Sequence, residues 1–158
     1  MLNSTDKTSR IPRILLLVTS LVLATVIFPF ATATPAGATS GNCAGTLIDT
    51  FTHYGPYPTL SGSSQLIATS YLYWDGTNNC VKTVKNKWVG TPTYMTLAIT
   101  NSNFVSNQDN NYYSYYAGPI SVNGYHLCVA IDVSLHYPNN GGEVFQDHIP
   151  VTGWMHCG

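Results

Sequence analysis

Apolar and polar residues alternate most strictly between Leu127 and Leu135. Leu127, Val129, Ile131, Val133 and Leu135 fall on one side, and Cys128, Ala130, Asp132 and Ser134 on the other. A period of two sends successive side chains to opposite faces, so this segment reads as a strand with one apolar face. A second such segment runs from Thr93 to Thr100, opened by Pro92, with Met95, Leu97 and Ile99 on one face. Gln65–Trp74 and Cys80–Trp88 read as two more strands, joined by the turn residues Asp75-Gly76-Thr77-Asn78-Asn79. Asn123-Gly124 is the preferred pair for a type I′ hairpin, predicted to join a strand ending near Val122 to one starting at Tyr125. The polar stretch Asn101 to Asn111 reads as an exposed loop, and Pro138-Asn139-Asn140-Gly141-Gly142 as a turn before a last segment ending at Cys157. The expected fold is all-β: a small antiparallel sandwich or barrel of about six to eight strands, connected as a meander.

The N-terminal segment follows a different pattern. Lys7, Arg10 and Arg13 precede an apolar run from Ile14 to Phe30, and small residues from Ala31 to Ala38 follow it. Positive, apolar and small regions in that order make a helical secretory signal peptide. Cleavage is expected before Thr39, after Ala36-Gly37-Ala38, with Ala31-Thr32-Ala33 as the second choice. A membrane anchor needs roughly 20 apolar residues, slightly more than this run offers, and a lipoprotein would not place Asn42 before its first cysteine. The division is therefore a signal peptide over 1–38 and one exported domain over 39–158, with no membrane attachment after cleavage.

Removing the leader changes the charge. Only Lys82, Lys85 and Lys87 remain as cations, against Asp49, Asp75, Asp109, Asp132, Glu143 and Asp147. A mildly acidic domain without a basic footprint is a poor nucleic-acid binder, and the lysines read as a solvated strand face.

All four cysteines, Cys43, Cys80, Cys128 and Cys157, lie in the exported part. An even number in a small exported domain reads as two disulfides. No C-x-x-C spacing supports zinc. Three connectivities are open, and sequential pairing would tie down both ends of the domain.

Candidate chemistry is sparse. His126 and His136 would stand about 30 Å apart on one strand. His148, His156 and Asp147 could meet only through the fold. No metal-binding spacing occurs, and no G-x-S-x-G elbow marks a nucleophile. Asp132 and Glu143 are the acids a glycosidase reading would use. No catalytic residue, cofactor or metal is assigned. The tyrosines Tyr112, Tyr113, Tyr115 and Tyr116 stand out instead. On one strand they would put aromatics on both faces, and tyrosines left exposed supply rigid, amphipathic contact area. Stacking on the sugar rings of a wall polymer is one use, and self-association is another.

Asn79-Cys80-Val81-Lys82-Thr83-Val84, the block from Tyr112 to Pro119, His126-Leu127-Cys128-Val129 and Cys157-Gly158 together resemble the spore-associated protein A family, small exported proteins of filamentous actinobacteria. The resemblance covers most of the exported domain and all four cysteines in order. It implies secretion, a disulfide-bonded β domain and association with spores or aerial cell surfaces, and hands over no catalytic residues. The expected function is that of a secreted, non-enzymatic protein on the spore or cell surface. Its partners would be wall or spore-surface polymers. The alternative is a small secreted enzyme or enzyme inhibitor, with Asn101–Asn111 as the inhibitory loop.

Overall fold

The computed structural model describes residues 41–56, 64–139 and 141–158. The expected signal peptide and both expected cleavage sites lie outside the described residues, as does Asn140 of the expected Pro138–Gly142 turn.

Regular structure among the described residues is entirely strand: β1 (Thr46–Pro56), β2 (Ser64–Trp74), β3 (Asn78–Lys85), β4 (Thr93–Asn101), β5 (Ser106–Tyr113), β6 (Tyr116–Asn123), β7 (Val129–His136) and β8 (Glu143–Ile149). They form two four-stranded antiparallel sheets. Sheet A has the order β1-β2-β3-β6 and sheet B the order β5-β4-β7-β8. The all-β sandwich predicted by the period-two segments is thus present, with eight strands.

The alternation explains the core. Met95, Leu97 and Ile99 of β4 and Val129, Ile131, Val133 and Leu135 of β7 are fully buried, facing Ile67, Leu72 and Val81 of sheet A. Each such side chain contributes roughly 1.5–3 kcal/mol relative to leaving it in water.

The connections are not a meander. β1, β2 and β3 are sequential neighbours, but β4 and β5 lie in the other sheet, and β6 returns to pair with β3. The Asn123-Gly124 hairpin is a correction: β6 and β7 are in different sheets, and neither residue has positive φ. A type I′ turn requires positive φ at both. The chain instead turns through His126, at φ 55°, and crosses between sheets. The other predicted turn is real but shorter. Asp75 accepts hydrogen bonds from the backbone N–H groups of Thr77 and Asn78, at 2.8 and 2.7 Å, and Gly76 takes φ 98°.

A second correction concerns Asn101–Asn111, which is not a loop. Ser106 to Tyr113 pair with β4 along its length. As the edge strand of sheet B, β5 needs no apolar face. Its inward side chains reach sideways to β6: Asn107 Nδ2 donates to the Ser121 carbonyl at 3.3 Å, and Asp109 Oδ2 accepts from Gly118 N–H at 2.7 Å. The hairpin tip is organised by the buried Asn101, whose Oδ1 accepts from the N–H groups of Asn103 and Val105, both at 3.1 Å.

The cysteines pair sequentially, Cys43 with Cys80 and Cys128 with Cys157. The first bridge fastens the segment before β1 to β3. The second fastens the entry to β7 to the C-terminal segment, where Val129 and Met155 also exchange backbone hydrogen bonds.

The lysines are not one solvated face. Lys82 lies over the Tyr116 ring at 3.7 Å, on the outside of sheet A. Lys85 points inward and is 2 % exposed, its Nζ donating to the carbonyls of Thr91 and Tyr113 at 2.6 and 3.2 Å. Removal from water pushes its pKa down to about 8.

Candidate functional site

The four tyrosines do not share a strand. Tyr113 ends β5 facing inward, 3 % exposed, with its hydroxyl donating to Asp109. Burial, and then the neighbouring Asp109, hold that phenol well above its ordinary pKa. Tyr115 lies in the turn between β5 and β6 and is exposed. Tyr116 begins β6 on the outside of sheet A. Tyr112 alone faces outward from sheet B, opposite Tyr94.

That outward face holds the aromatic row that sequence reading missed. With Met95, Leu97 and Ile99 turned inward, Tyr94, Thr96, Ala98 and Thr100 must point out. Tyr94 sits between two aromatic neighbours, the rings of Tyr112 and His136, each 5.4 Å away edge to face. Below this row the register aligns Asn110, Thr96, Ser134 and Gln146, and then Gln108, Ala98, Asp132 and His148. Thr96 and Ser134 share a hydrogen bond of 2.8 Å, and His148 Nδ1 lies 2.7 Å from Asp132 Oδ1. Asn110, Gln108 and Gln146 are exposed.

The chemistry of this face is specific. Carboxamides donate and accept at once, as hydroxyls do, and the rings present flat apolar surface beside them. Of its two acids, Asp132 is paired with His148 and Glu143 stands at the end of the aromatic row opposite His136, while the lysines lie on or just past β3 in the other sheet. A neutral, hydroxyl-rich ligand with apolar C–H faces suits such a surface; a polyanion does not. The outer face of sheet A differs. Its tyrosines Tyr71, Tyr73 and Tyr116 are half-buried, as Tyr94 and His136 are, but the segment carrying Cys43 is fastened onto it, with Asn42 accepting from Lys82 at 3.3 Å.

No family model, no curated protein and no solved structure matches the chain.

The histidines that could have met do not. His148 pairs with Asp132, His156 with Asp49 at 3.0 Å, and Asp147 is taken by His53. His53 is 1 % exposed and sits in a hydrogen-bonded line: Asp147 Oδ2 at 2.6 Å from Nδ1, Ser70 Oγ at 2.8 Å from Nε2, and Thr83 Oγ1 at 2.6 Å from Ser70. Acid, imidazole and hydroxyl stand in the order of a hydrolase triad. The hydroxyl, however, belongs to a residue with no exposed surface, so no substrate carbonyl reaches it in this conformation. Burial lowers the His53 pKa, against the opposing hydrogen bond and charge of Asp147. The imidazole is then neutral, donating from Nδ1 to Asp147 and accepting at Nε2 from Ser70. Among the described residues no cluster of three or more His, Cys, Asp or Glu could hold a metal ion.

Proposed function

We propose that this protein is a secreted, non-enzymatic binder of a neutral polysaccharide of the cell wall or spore surface, and that the outer face of sheet B is its contact surface. The observation that carries the reading is the row Tyr112–Tyr94–His136, flanked by the neutral rows of Asn110, Gln146 and Gln108. Sugar rings pack their C–H faces on aromatic edges and faces, and their hydroxyls exchange hydrogen bonds with carboxamides. The two disulfides are compatible with an oxidising, extracellular setting. Export by the segment over 1–38 and residence on spores or aerial cell surfaces complete the reading, as the resemblance to the spore-associated protein A family implies. Of Asn101–Asn111, the stretch an inhibitor would project, Ser106 onward is paired strand and the hairpin tip at 102–105 is what remains outside it.

The test is retention of the purified, oxidised protein on isolated cell walls and on spores, washed at low and high salt. Retention through the high-salt wash, lost in a folded Tyr94→Ala variant, supports the reading. Absence of retention on both materials overturns it.

A further inference from the structure

An apolar tip projects where β4 turns into β5, at the opposite end of β4 from Tyr94. Phe104 is 82 % exposed there, although its backbone sits at φ 60°, a left-handed conformation that bulky side chains rarely adopt. That strain is carried without burying the ring, so packing does not account for a phenylalanine at this position. Val105 beside it is exposed. So are Trp154, whose ring meets Phe104 edge to face at 5.8 Å, and Tyr125 on the connection between β6 and β7. Asn101 ties this connection to the tip, its Nδ2 donating to the Asn123 carbonyl at 2.9 Å. The three segments 101–106, 123–128 and 150–155 contain no Asp, Glu, Lys or Arg. Of the acids at this end of the sheets, Asp75 accepts from Thr77 and Asn78, and Asp49 is paired with His156.

The tip has also used up its backbone donors. Ser102 N–H donates to the Cys128 carbonyl at 2.9 Å and Phe104 N–H to the Asn101 carbonyl at 2.8 Å. Asn103 and Val105 both donate to Asn101 Oδ1. In water an exposed N–H is solvated without help from the protein. In an apolar phase an unpaired one is expensive, and the segment that enters must satisfy its own.

We infer that this end of the molecule docks on a lipid surface, with Phe104 and Val105 entering the acyl region and Trp154 and Tyr125 lying at headgroup level. Rings that carry one polar atom, as in Trp and Tyr, favour that interface. Asn103, the exposed carboxamide of the tip, stays among the headgroups. The self-paired backbone favours lipid over a polysaccharide or a protein, both of which grip a loop partly through hydrogen bonds to it. The lack of charge selects a zwitterionic surface. All three lysines lie on or just past β3, so these segments hold no lysine or arginine to attract anionic headgroups. The contact is peripheral and made by the folded domain, so it differs from the leader-borne attachment that cleavage removes. It goes beyond the polymer-binding reading and rests on a separate set of residues.

The experiment is flotation of the protein, purified in its secreted, oxidised form, with vesicles of phosphatidylcholine alone or mixed with phosphatidylglycerol, at low and high salt. Quenching of tryptophan emission by brominated phosphatidylcholine accompanies it. Flotation with pure phosphatidylcholine is expected, changing less than about twofold with salt. Quenching is expected as well, and should be reduced in Trp154→Phe. Phe104→Gly should weaken partitioning about tenfold or more, the ratio for withdrawing one aromatic side chain from an apolar phase. The same change should raise the melting temperature, because glycine takes a left-handed backbone without strain; a phenylalanine present for folding would lower it on removal. Phe104→Asp, an acid that tolerates this conformation, should abolish flotation. Tyr94→Ala should lower wall retention and leave flotation unchanged, so failure of the sheet face and failure of the tip are distinguishable. No flotation with pure phosphatidylcholine, flotation confined to the anionic vesicles and lost at high salt, or unaltered flotation in Phe104→Gly overturns the inference. A dimer that dissociates in Phe104→Gly and ignores vesicles also overturns it, since a second copy then covers the tip.

Discussion

His53 of β1 and Asp147 of β8 are hydrogen-bonded across the sandwich, Nδ1 to Oδ2 at 2.6 Å, and so join the edge strand of one sheet to the edge strand of the other. The imidazole also stacks on Phe145, with centroids 5.1 Å apart and planes 5° from parallel. On the opposite side, where β5 faces β6, Asn107 and Asp109 make the corresponding bridges. Side chains thus close the two sides that the backbone ladders leave open. Replacing His53 by Ala removes a packed ring and its hydrogen bonds to Asp147 and Ser70, leaving Ser70 paired with Thr83 alone. The expected loss is about 2–4 kcal/mol, combining the cavity with the lost hydrogen bonds, measured as a lower urea midpoint with an unchanged slope. A loss within a few tenths of a kcal/mol would show that this line is not structural.

The same histidine sets an acid dependence. Burial lowers its folded pKa below the ordinary 6.5, so between the folded value and 6.5 the unfolded chain binds more protons. Stability therefore rises with pH across that window, is fully present above about 6.5, and is lost as pH falls toward the folded value. The groups facing the ring are Asp147, Ser70 and Phe145. His53→Gln should flatten this component when the wild-type curve is subtracted. A difference curve without slope below pH 6.5 would contradict it.

How much of this was legible in the sequence depended on which side chains face inward. β4 and β7 were plain because their inward positions are all aliphatic, as at Met95, Leu97, Val133 and Leu135. β1 was not marked as a strand. Its inward residues include His53, Leu47 and Ile48 are exposed, and its register shifts at Leu47/Asp49 and His53/Tyr54 break the period. β5 looked like a loop because an edge strand can carry polar residues on both sides; its pairing is a property of the backbone. Asn123-Gly124 carried a strong local signal, overridden because the two flanking strands belong to different sheets. Of the candidate contact residues only Tyr112 was legible as a contact and His136 merely as a histidine, while Tyr94 was hidden among the outward positions of a strand recognised by its inward ones.

Lys85 gives an alkaline counterpart. Its folded pKa of about 8 lies below the ordinary 10.5, so the folded state releases the proton first as pH rises. Its unfavourable contribution is full below pH 8 and fades between 8 and 10.5, which makes stability rise through that interval. Unfolding curves of the wild type and Lys85→Met, collected from pH 7 to 10.5, should converge or cross as the lysine discharges. Parallel curves would mean that Nζ is solvated.

The disulfides close stretches separated by 37 and 29 residues. On the chain-entropy estimate each restricts the unfolded state by roughly 3–4 kcal/mol. Replacing Cys128 and Cys157 together by Ser should lower stability by about that amount, measured by urea unfolding. It should also raise hydrogen exchange at Val129 and Met155, whose mutual backbone bonds the bridge supports. Unchanged exchange there would separate the bridge from the local pairing.

The surface reading makes a prediction about salt that a charge-driven reading does not. Lys82, Lys85 and Lys87 lie on or just past β3 in sheet A, whereas the rows around Tyr94 belong to sheet B. Contacts made by rings and carboxamides are little screened, while ion pairs at a surface weaken as the Debye length falls from about 10 Å at 0.1 M to about 3 Å at 1 M. Polymer retention should therefore change less than about twofold over that range, against the orders of magnitude lost when several charges are neutralised. Tyr94→Ala and Tyr112→Ala should each reduce retention, since an aromatic contact is worth about 1–3 kcal/mol by alanine substitution in stacked complexes. Tyr116→Ala, which removes a ring held under Lys82 on the other sheet, should not. If Tyr116→Ala weakens retention and Tyr94→Ala leaves it intact, the contact surface belongs to sheet A and the assignment of the face is wrong.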